Sequence, residues 1–487
     1  MWEDYTKNLL LFTDFYEFSM TNGYYIDGVG EDPVVFDYFF RKNPFRGGYA
    51  IVAGIEQFLD VLEHFQFTEE QIEYLKTYDL DDGFLDYLAH MKNKLVVKGF
   101  TEGRVVFANE PILEISGPLI QCQIIETLLL NCLNFPTLCA TKANRMWLAS
   151  GKQPILEFGA RRAQGTNGGL IASYASMIGG CAGTSNVLAA KYLKEGLKAS
   201  GTLAHSWIMA FKTEYEAFKK YAEIYPKSSI LLVDTYDTLK SGVVNAIKIG
   251  KKLREKGENL VGIRLDSGDL AHLSQEARKM LDEEGFESTK IVISNDVDEY
   301  FIQDFKQLGG KADVWGIGTK LVTCYDDPAL GGVYKLAEYN GDPRIKVSGA
   351  PSKTNVPGNK ELFRCYEKKK GEFFMKHDLL ELDSKLVNEQ IKLPQGFFNP
   401  YNPEETLSLS KSDIVKSESM LKVLFKDGKR ATKNLSWKEA RLNMEFDLTH
   451  LPANFHRLIN PDQYKIYISE ELHQIRQKLI KKYINRL

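Results

Sequence analysis

The sequence predicts an α/β protein: a series of parallel strand–helix units, preceded and followed by stretches of a different, mixed α and β style. Three observations carry this. First, short apolar runs recur about every 20 to 30 residues between 154 and 338, and most are separated by helical stretches such as VLAAKYLKEG, TEYEAFKKYAEIY and VDEYFIQDFKQLGG. Units at this spacing give a parallel sheet, and eight of them close a barrel. Second, most runs end in charged residues or glycine, as expected of strands whose carboxyl ends face a crevice. Third, the stretches before 118 and after 360 change style, with strand patterns broken by turn dipeptides.

In order, the amino-terminal stretch reads as a helix capped at Thr13 or Asp14, with Tyr16 and Glu17 on its next turn. Residues 34 to 40 read as an aromatic strand, and a helix follows from about Ala53. Two short helices are expected in 70 to 92, and about four short strands in 95 to 117. Residues 118 to 150 read as an apolar helix that Pro136 bends or breaks. The eight expected strands are 154–159, 178–186, 201–207, 228–238, 260–269, 290–296, 312–319 and 331–338, with 203 to 228 and the last turn the least regular. An open doubly wound sheet is the structural alternative. Residues 340 to 360 read as a basic loop, ELFRCYEKKKGEFF and SMLKVLFKDGKR as strands or hairpins, QGFFNPYNPEE between them as irregular, and the end as a strand and an amphipathic helix. The expected domain bounds are 1–135, 136–345 for the barrel, and 346–487.

A chain of 487 residues exceeds what one core usually serves. Its 44% hydrophobic content argues against extensive disorder, and a net charge of -3 argues against bulk attraction to nucleic acid or membranes. The six cysteines form no CxxC pair and are too sparse for a disulfide scaffold. The amino end is acidic and too briefly apolar for a secretory signal, and no 18-residue apolar stretch is read, so no membrane span is expected. A reduced, cytoplasmic setting is the expectation.

The residues after each run form a polar series. They are Phe158, Arg161 and Arg162; Thr184, Ser185 and Asn186; Thr202, His205 and Ser206; Asp234 and Asp237; Arg264, Asp266 and Asp269; Ser294, Asn295 and Asp296; and Gly316, Gly318, Thr319 and Lys320. Arginine, histidine, aspartate and glycine along one rim argue for an anionic, phosphorylated substrate with hydroxyls. Arg264 offers a fork to phosphate or carboxylate, while Asp266 and Asp269 suit ribose hydroxyls or hydrated magnesium. The GIGT turn suits an anion, although glycines end many strands. Asp234 and Asp237 could orient Arg264 or His205, or simply form structural ion pairs. No GxGxxG, Walker or GxSxG motif is present, nor a histidine–cysteine set with metal-ligand spacing.

Taken together, FTDFYEFSMTNGYY, EFGARRAQG, GTSN, GTLAHSW, LLVDTYDT, RLDSGDL, WGIGT and GGVYKLAE resemble the nicotinate phosphoribosyltransferase family, with Lys346, Ser348, Lys353, Pro357 and Gly358 fitting its exit loop. The resemblance implies an incomplete α/β barrel of the type II phosphoribosyltransferases, an additional α+β domain in which 1–135 is completed by later chain with 346–487 packing on it, and a homodimer with composite sites. It also implies transfer of phosphoribose from 5-phosphoribosyl 1-diphosphate to nicotinate, coupled to ATP through a phosphorylated histidine, with Mg2+ on the diphosphate or ATP. It assigns His205 as that histidine, Arg264 to the pyridine carboxylate and diphosphate, and Tyr16 and Phe158 to the two ring faces. Arg161, Asn295, Gly318 and Thr319 are assigned to phosphate, Asp266 to ribose, and Thr202 to nicotinate or the histidine loop; Thr184, Ser185, Asp234 and Asp269 complete the expected substrate contacts. The sharpest rival is the relative that uses nicotinamide, which is expected to carry an aspartate in the turn that here reads GTSN. An acid there would repel nicotinate, whereas Ser185 can donate. Quinolinate phosphoribosyltransferases are normally shorter. A barrel aldolase or isomerase would need a catalytic lysine or glutamate, for which only Lys320 and Glu157 offer themselves.

Overall fold

Six parallel strands form the sheet that positions the polar rim: β1 (Ile155–Glu157), β2 (Gly183–Thr184), β3 (Ile230–Leu232), β4 (Gly262–Leu265), β5 (Lys290–Asn295) and β6 (Val314–Ile317). The computed structural model describes residues 9–347, 354–386, 390, 391, 393 and 395–484; Ser348 and Lys353 lie outside the described residues. The strands lie in the order β2-β1-β6-β5-β4-β3. The first therefore pairs with the last, and the cyclic succession of a barrel is kept except between β2 and β3, where it stays open. This is the incomplete barrel expected of the family resemblance, with six strands among the described residues rather than eight.

Two of the expected strands are not in this sheet. In 201–207 there is no strand; a short helix, His205–Met209, forms there instead. The preceding backbone turns sharply, with Lys194, Glu195 and Gly196 all at positive φ, and only Leu203 and Ile208 of the segment are buried. Too little apolar surface is present to hold a central strand. The run at 331–338 is a strand, Gly332–Tyr339, but it pairs antiparallel with Pro33–Phe40, from Phe40 opposite Gly332 to Val34 opposite Tyr339. With only Tyr334 and Ala337 buried and Lys335 and Glu338 along its length, it suits an antiparallel sheet better than a parallel core buried on both faces.

The chain divides into two units, Cys139–Pro328, which contains the parallel sheet, and Met1–Leu138 with Ala329–Leu487. In the second of these, a seven-stranded sheet joins Pro33–Phe40, Leu113–Pro118 and Val96–Gly99 to Lys422–Lys426 and Lys429–Arg430, so late chain completes an early sheet. The buried ion pair between Lys360 Nζ and Asp37 Oδ2, 2.7 Å apart, and the bond from Lys360 N to Glu114 Oε2 tie the start of another late strand, Lys360–Lys369, to the same early strands. A further six-stranded sheet is built from Lys360–Leu382 and later strands, including Ile466–Ser469 ahead of the terminal helix. The QGFFNPYNPEE region is not irregular: Gln395–Asn399 and Asn402–Leu409 form a hairpin turned at Asn399. Residues 95 to 117 carry three strand pieces, not four.

Pro136 neither breaks nor ends its helix, which runs unbroken from Glu126 to Ala149; the interruption falls earlier, at Ile125. A proline removes the bond to the carbonyl four residues back, here that of Cys132. Gly54 packs against that carbonyl so closely that a Cβ would lie 1.9 Å from its oxygen. By length and composition the stretch Leu119–Ala149 could cross a membrane, contrary to the expectation that no such segment exists. Its most apolar window is 67% buried within the protein, as a core helix would be.

The helix Phe15–Ile26 begins after Asp14 as expected. Its Glu17 is fully buried and accepts from Gln123 Nε2 at 2.7 Å. Burial pushes the Glu17 carboxyl up from 4.5 to about 7, against the lowering effect of hydrogen bonds from Gln123 and Tyr16.

Two expectations follow for stability. Gly54, at φ 102°, has room for no side chain, so Gly54→Ala should cost about 2 kcal/mol or more in urea unfolding. Because its folded pKa is raised, Glu17 contributes stability that is complete below pH 4.5 and is lost as pH rises through 7. Glu17→Gln should flatten that part of the pH dependence of the urea midpoint; an unchanged profile would show that Glu17 is not its source.

Candidate active site

The rim begins with a buried carboxylate. Glu157, the last residue of β1, is fully buried and accepts from Thr184 Oγ1 at 2.6 Å, Ser173 Oγ at 2.8 Å and the backbone N–H of Gly159. These bonds lock the end of β1 to β2 and to the helix Gly165–Gly179. The chain then turns outward at Phe158, whose N–H bonds Ile317 O at 2.7 Å. A Cβ on Gly316 would sit 2.8 Å from the Phe158 ring, and one on Gly318 3.0 Å from its carbonyl oxygen. The glycines of the GIGT turn are therefore the seat of this ring as well as an approach to backbone N–H groups.

Opposite the ring stands Arg264, with its guanidinium 5.6 Å from the ring centroid. Its side chain is only 15% exposed. It donates from Nε to Ser294 Oγ at 2.7 Å, from Nη1 to Thr202 Oγ1 at 3.0 Å and from Nη2 to Asp266 Oδ1 at 2.8 Å. Ser294 closes the triangle by donating to the same Asp266 oxygen at 2.5 Å. Strand register explains the meeting, because Arg264 pairs with Val292 and Ser294 lies two residues further along the same face. Asp234, at the end of β3, accepts from Asp266 N at 2.8 Å and Ser267 Oγ at 2.7 Å, and so fixes the turn that carries Asp266.

A cleft lies over these groups, lined by Phe158, Arg161, Arg162, Arg264, Asp266, Ser294, Asn295, Asp296, Gly316, Gly318 and Thr319. Three guanidiniums face two carboxylates, so the cleft is net cationic. Arg161 and Arg162 are exposed on a single turn, Ala160–Arg162, just before the amino end of the helix Gly165–Gly179. Neither pairs with a carboxylate among the described residues, so both are available to an anion. Asn295 holds a left-handed backbone at φ 114°, a strained geometry typical of ligand sites.

Three family descriptions match this chain: the nicotinate phosphoribosyltransferase N-terminal domain over residues 11–134, the nicotinate phosphoribosyltransferase family over 154–380, and the C-terminal domain of the same enzymes over 359–476. A nicotinate phosphoribosyltransferase of Bacillus subtilis is 38% identical over 469 residues, covering 95% of this chain and 94% of that protein. The chain belongs to the nicotinate phosphoribosyltransferase family. A human nicotinate phosphoribosyltransferase is 32% identical, with 95% of both chains covered. The crystal structure of human nicotinic acid phosphoribosyltransferase superposes with a TM-score of 0.84 at 30% identity, covering 96% of this chain and 99% of that one. A nicotinate-nucleotide pyrophosphorylase from Pyrococcus furiosus shares the fold, with a TM-score of 0.68, at 23% identity and 91% and 95% coverage.

In this member of the nicotinate phosphoribosyltransferase family, Phe158, Arg161, Arg264, Asp266, Asn295, Gly318 and Thr319 line one cleft, and Thr202 and Asp234 hold two of them in place. His205 stands beside the cleft, with Nε2 3.8 Å from Asp266 Oδ2 and Nδ1 3.1 Å from Thr235 Oγ1. Asp234 and Asp237 were candidates to orient Arg264 or His205; instead Asp234 fixes a backbone turn and Asp237 caps Lys240 N at 2.8 Å. Asp269 is the cap of the helix Leu270–Glu283 and accepts from His272 N; it does not line the cleft. Thr184 is buried and committed to Glu157, while Ser185 N bonds Glu157 O at 2.9 Å. Tyr16 lies in the other unit, 46% exposed. Lys320 is paired with Asp298 Oδ2 at 2.6 Å. Ser294, Arg162, Asp296 and Thr235 stood at strand ends in the sequence without an assigned role; the signal for Ser294 was its register opposite the Arg264 strand.

Ser294→Ala should leave Arg264 Nε without its acceptor and Asp266 Oδ1 with one donor fewer. Turnover should fall roughly tenfold, the scale of one lost hydrogen bond to charged groups, while the melting temperature stays within a few degrees; steady-state kinetics with calorimetry checks it.

Proposed function

We propose that this chain joins nicotinate to 5-phosphoribosyl 1-diphosphate, giving nicotinate mononucleotide and diphosphate, a salvage step of NAD synthesis. The observation that carries this reading is the net cationic cleft in which the Phe158 ring stands opposite the Arg264–Ser294–Asp266 triangle. A flat pyridine ring stacks on Phe158, and its carboxylate is met by Arg264. The pyridine nitrogen attacks the anomeric carbon as the bond to the diphosphate oxygen breaks. No general base is needed, since that nitrogen already has its lone pair. The transition state carries oxocarbenium character, so what the protein supplies is alignment and charge compensation. Arg161 and Arg162 take the departing diphosphate, Asn295, Gly318 and Thr319 take the ribose-side phosphate, and Asp266 holds ribose hydroxyls.

Magnesium bound to diphosphate fits the donor set, because Asp266 and Asp296 are hard oxygen ligands in the same cleft. It would draw negative charge off the leaving group. His205 is the group we assign to phosphorylation by ATP. Tyr16, exposed on the helix Phe15–Ile26, is the aromatic we assign to the second face of the ring in a homodimer.

The acid rather than the amide is favoured by the turn after β2. Its residues, Gly183 to Asn186, carry no carboxylate, and the neighbouring Glu157 is buried and already accepts three bonds. The turn therefore offers no carboxylate to an amide N–H, and a nicotinate carboxylate meets no exposed negative charge there.

Consumption of 5-phosphoribosyl 1-diphosphate should proceed with nicotinate and not with nicotinamide, with ADP released during turnover; consumption with nicotinamide alone would overturn the reading. Arg264→Ala should lower kcat/KM by about 100- to 1,000-fold, the range for removing one charge-stabilising donor. His205→Ala should abolish acid-labile phosphate on the protein without unfolding it.

A further inference from the structure

The histidine beside the cleft has two nitrogens in different surroundings, and this difference bears on which of them reacts. His205 opens the short helix Ala204 caps, His205–Met209, in the gap between β2 and β3. Its side chain is 41% exposed. Nδ1 lies 3.1 Å from Thr235 Oγ1, which is the hydrogen-bond partner of the ring among the described residues. Nε2 lies 3.8 Å from Asp266 Oδ2, beyond hydrogen-bond reach but within the ion-pair distance of that carboxylate. Asp266 does not swing freely, because Arg264 and Ser294 hold its other oxygen. Thr235 follows directly on Asp234, whose carboxylate is bonded to the turn at Asp266 and Ser267. The hydroxyl and the carboxylate on either side of the imidazole are thus both fixed from the ends of β3 and β4.

A neutral imidazole carries its proton on one nitrogen and its nucleophilic lone pair on the other. The two neighbours pull in opposite directions. Asp266 favours a proton on Nε2, which would leave the lone pair on Nδ1, already occupied by Thr235. Thr235, accepting a hydrogen bond from Nδ1–H, favours the tautomer whose lone pair is on Nε2, the nitrogen without a hydrogen-bond partner.

We propose that Thr235 is a positioning residue that selects the Nδ1–H tautomer of His205 and directs phosphorylation to Nε2. This rests on the assignment of His205 as the phosphorylated group. In the step, Nε2 attacks the γ-phosphorus of ATP, the bond from that phosphorus to the bridging oxygen breaks, and ADP leaves with the bond's electron pair. The Nδ1 proton stays in place, donated to Thr235 Oγ1, and the positive charge of the ring is offset by the phosphoryl oxygens. Arg264, on the far oxygen of Asp266, offsets the repulsion between that carboxylate and the incoming phosphate.

The test is autophosphorylation of the full-length protein with ATP and magnesium, followed by identification of the phosphohistidine isomer by phosphorus NMR and isomer-specific antibodies. The wild type should carry phosphate on Nε2 alone. Thr235→Val removes the acceptor while keeping the shape; phosphorylation should slow by about tenfold or more, with Nδ1-phosphohistidine appearing. Thr235→Ser restores the hydroxyl and should return both the rate and the isomer to the wild-type values. A merely structural threonine would lower yield in both variants without changing the isomer. Phosphate on Nδ1 in the wild type, or a Thr235→Val protein identical to the wild type in rate and isomer, overturns the proposal. Absence of phosphohistidine from the wild type, with nicotinate still consumed, would instead remove the assignment of His205 on which it rests.

Discussion

A guanidinium taken largely out of water is the constraint around which the parallel sheet's rim is arranged. Desolvating a charge is costly unless it is paired and its hydrogen bonds are made. Arg264 meets both demands at once, through Asp266, Ser294 and Thr202. The acceptors come from three segments, β4 itself with its turn, β5, and the stretch before His205. Their meeting depends on register: a slip of one residue between β4 and β5 would turn Ser294 to the other face and leave Nε unpaired. The clamp is therefore a check on correct sheet assembly as well as a feature of the cleft.

The remaining rim follows from the same economy of space. Glu157 is buried beneath the cleft and bonded by hydroxyls and a backbone N–H, so it acts as a knot between β1, β2 and the helix that follows. The glycines at 316 and 318 leave room for the Phe158 ring and for an anion over it. Charges at the surface of the cleft, Arg161 and Arg162, have no carboxylate partner among the described residues, while Arg264 below it is paired. That partition separates groups that hold the fold from groups free to hold a ligand.

The opening between β2 and β3 has a related consequence. A closed barrel would place a strand where residues 194–209 run; here the same stretch is loop and short helix, and it brings Thr202 against Arg264 and His205 near Asp266. Giving up ladder hydrogen bonds in this gap is what makes a histidine and a threonine from the chain between two strands available at the mouth.

Much of this was legible in the amino-acid sequence. Apolar runs followed by charges located β1 and β3 to β6, because a buried parallel strand must be continuously apolar and its carboxyl end must meet solvent or ligand. The family-specific strings located Phe158, Arg264, Asp266 and His205. What only the tertiary structure decided were matters of partner. Gly332–Tyr339 reads like the other runs, yet it pairs with an antiparallel partner about 300 residues earlier, and local pattern does not reveal which strand that is. Pro136 looks like a break, but a helix tolerates it because Gly54, distant in sequence, fits against the freed carbonyl. Asp234, Asp237 and Asp269 are equivalent as letters; burial and the nearest backbone N–H made one a brace for a turn and the other two helix caps. Sequence fixes which groups are available and where each strand ends, since those depend on local polarity, whereas the role of each group depends on the neighbour that folding brings to it.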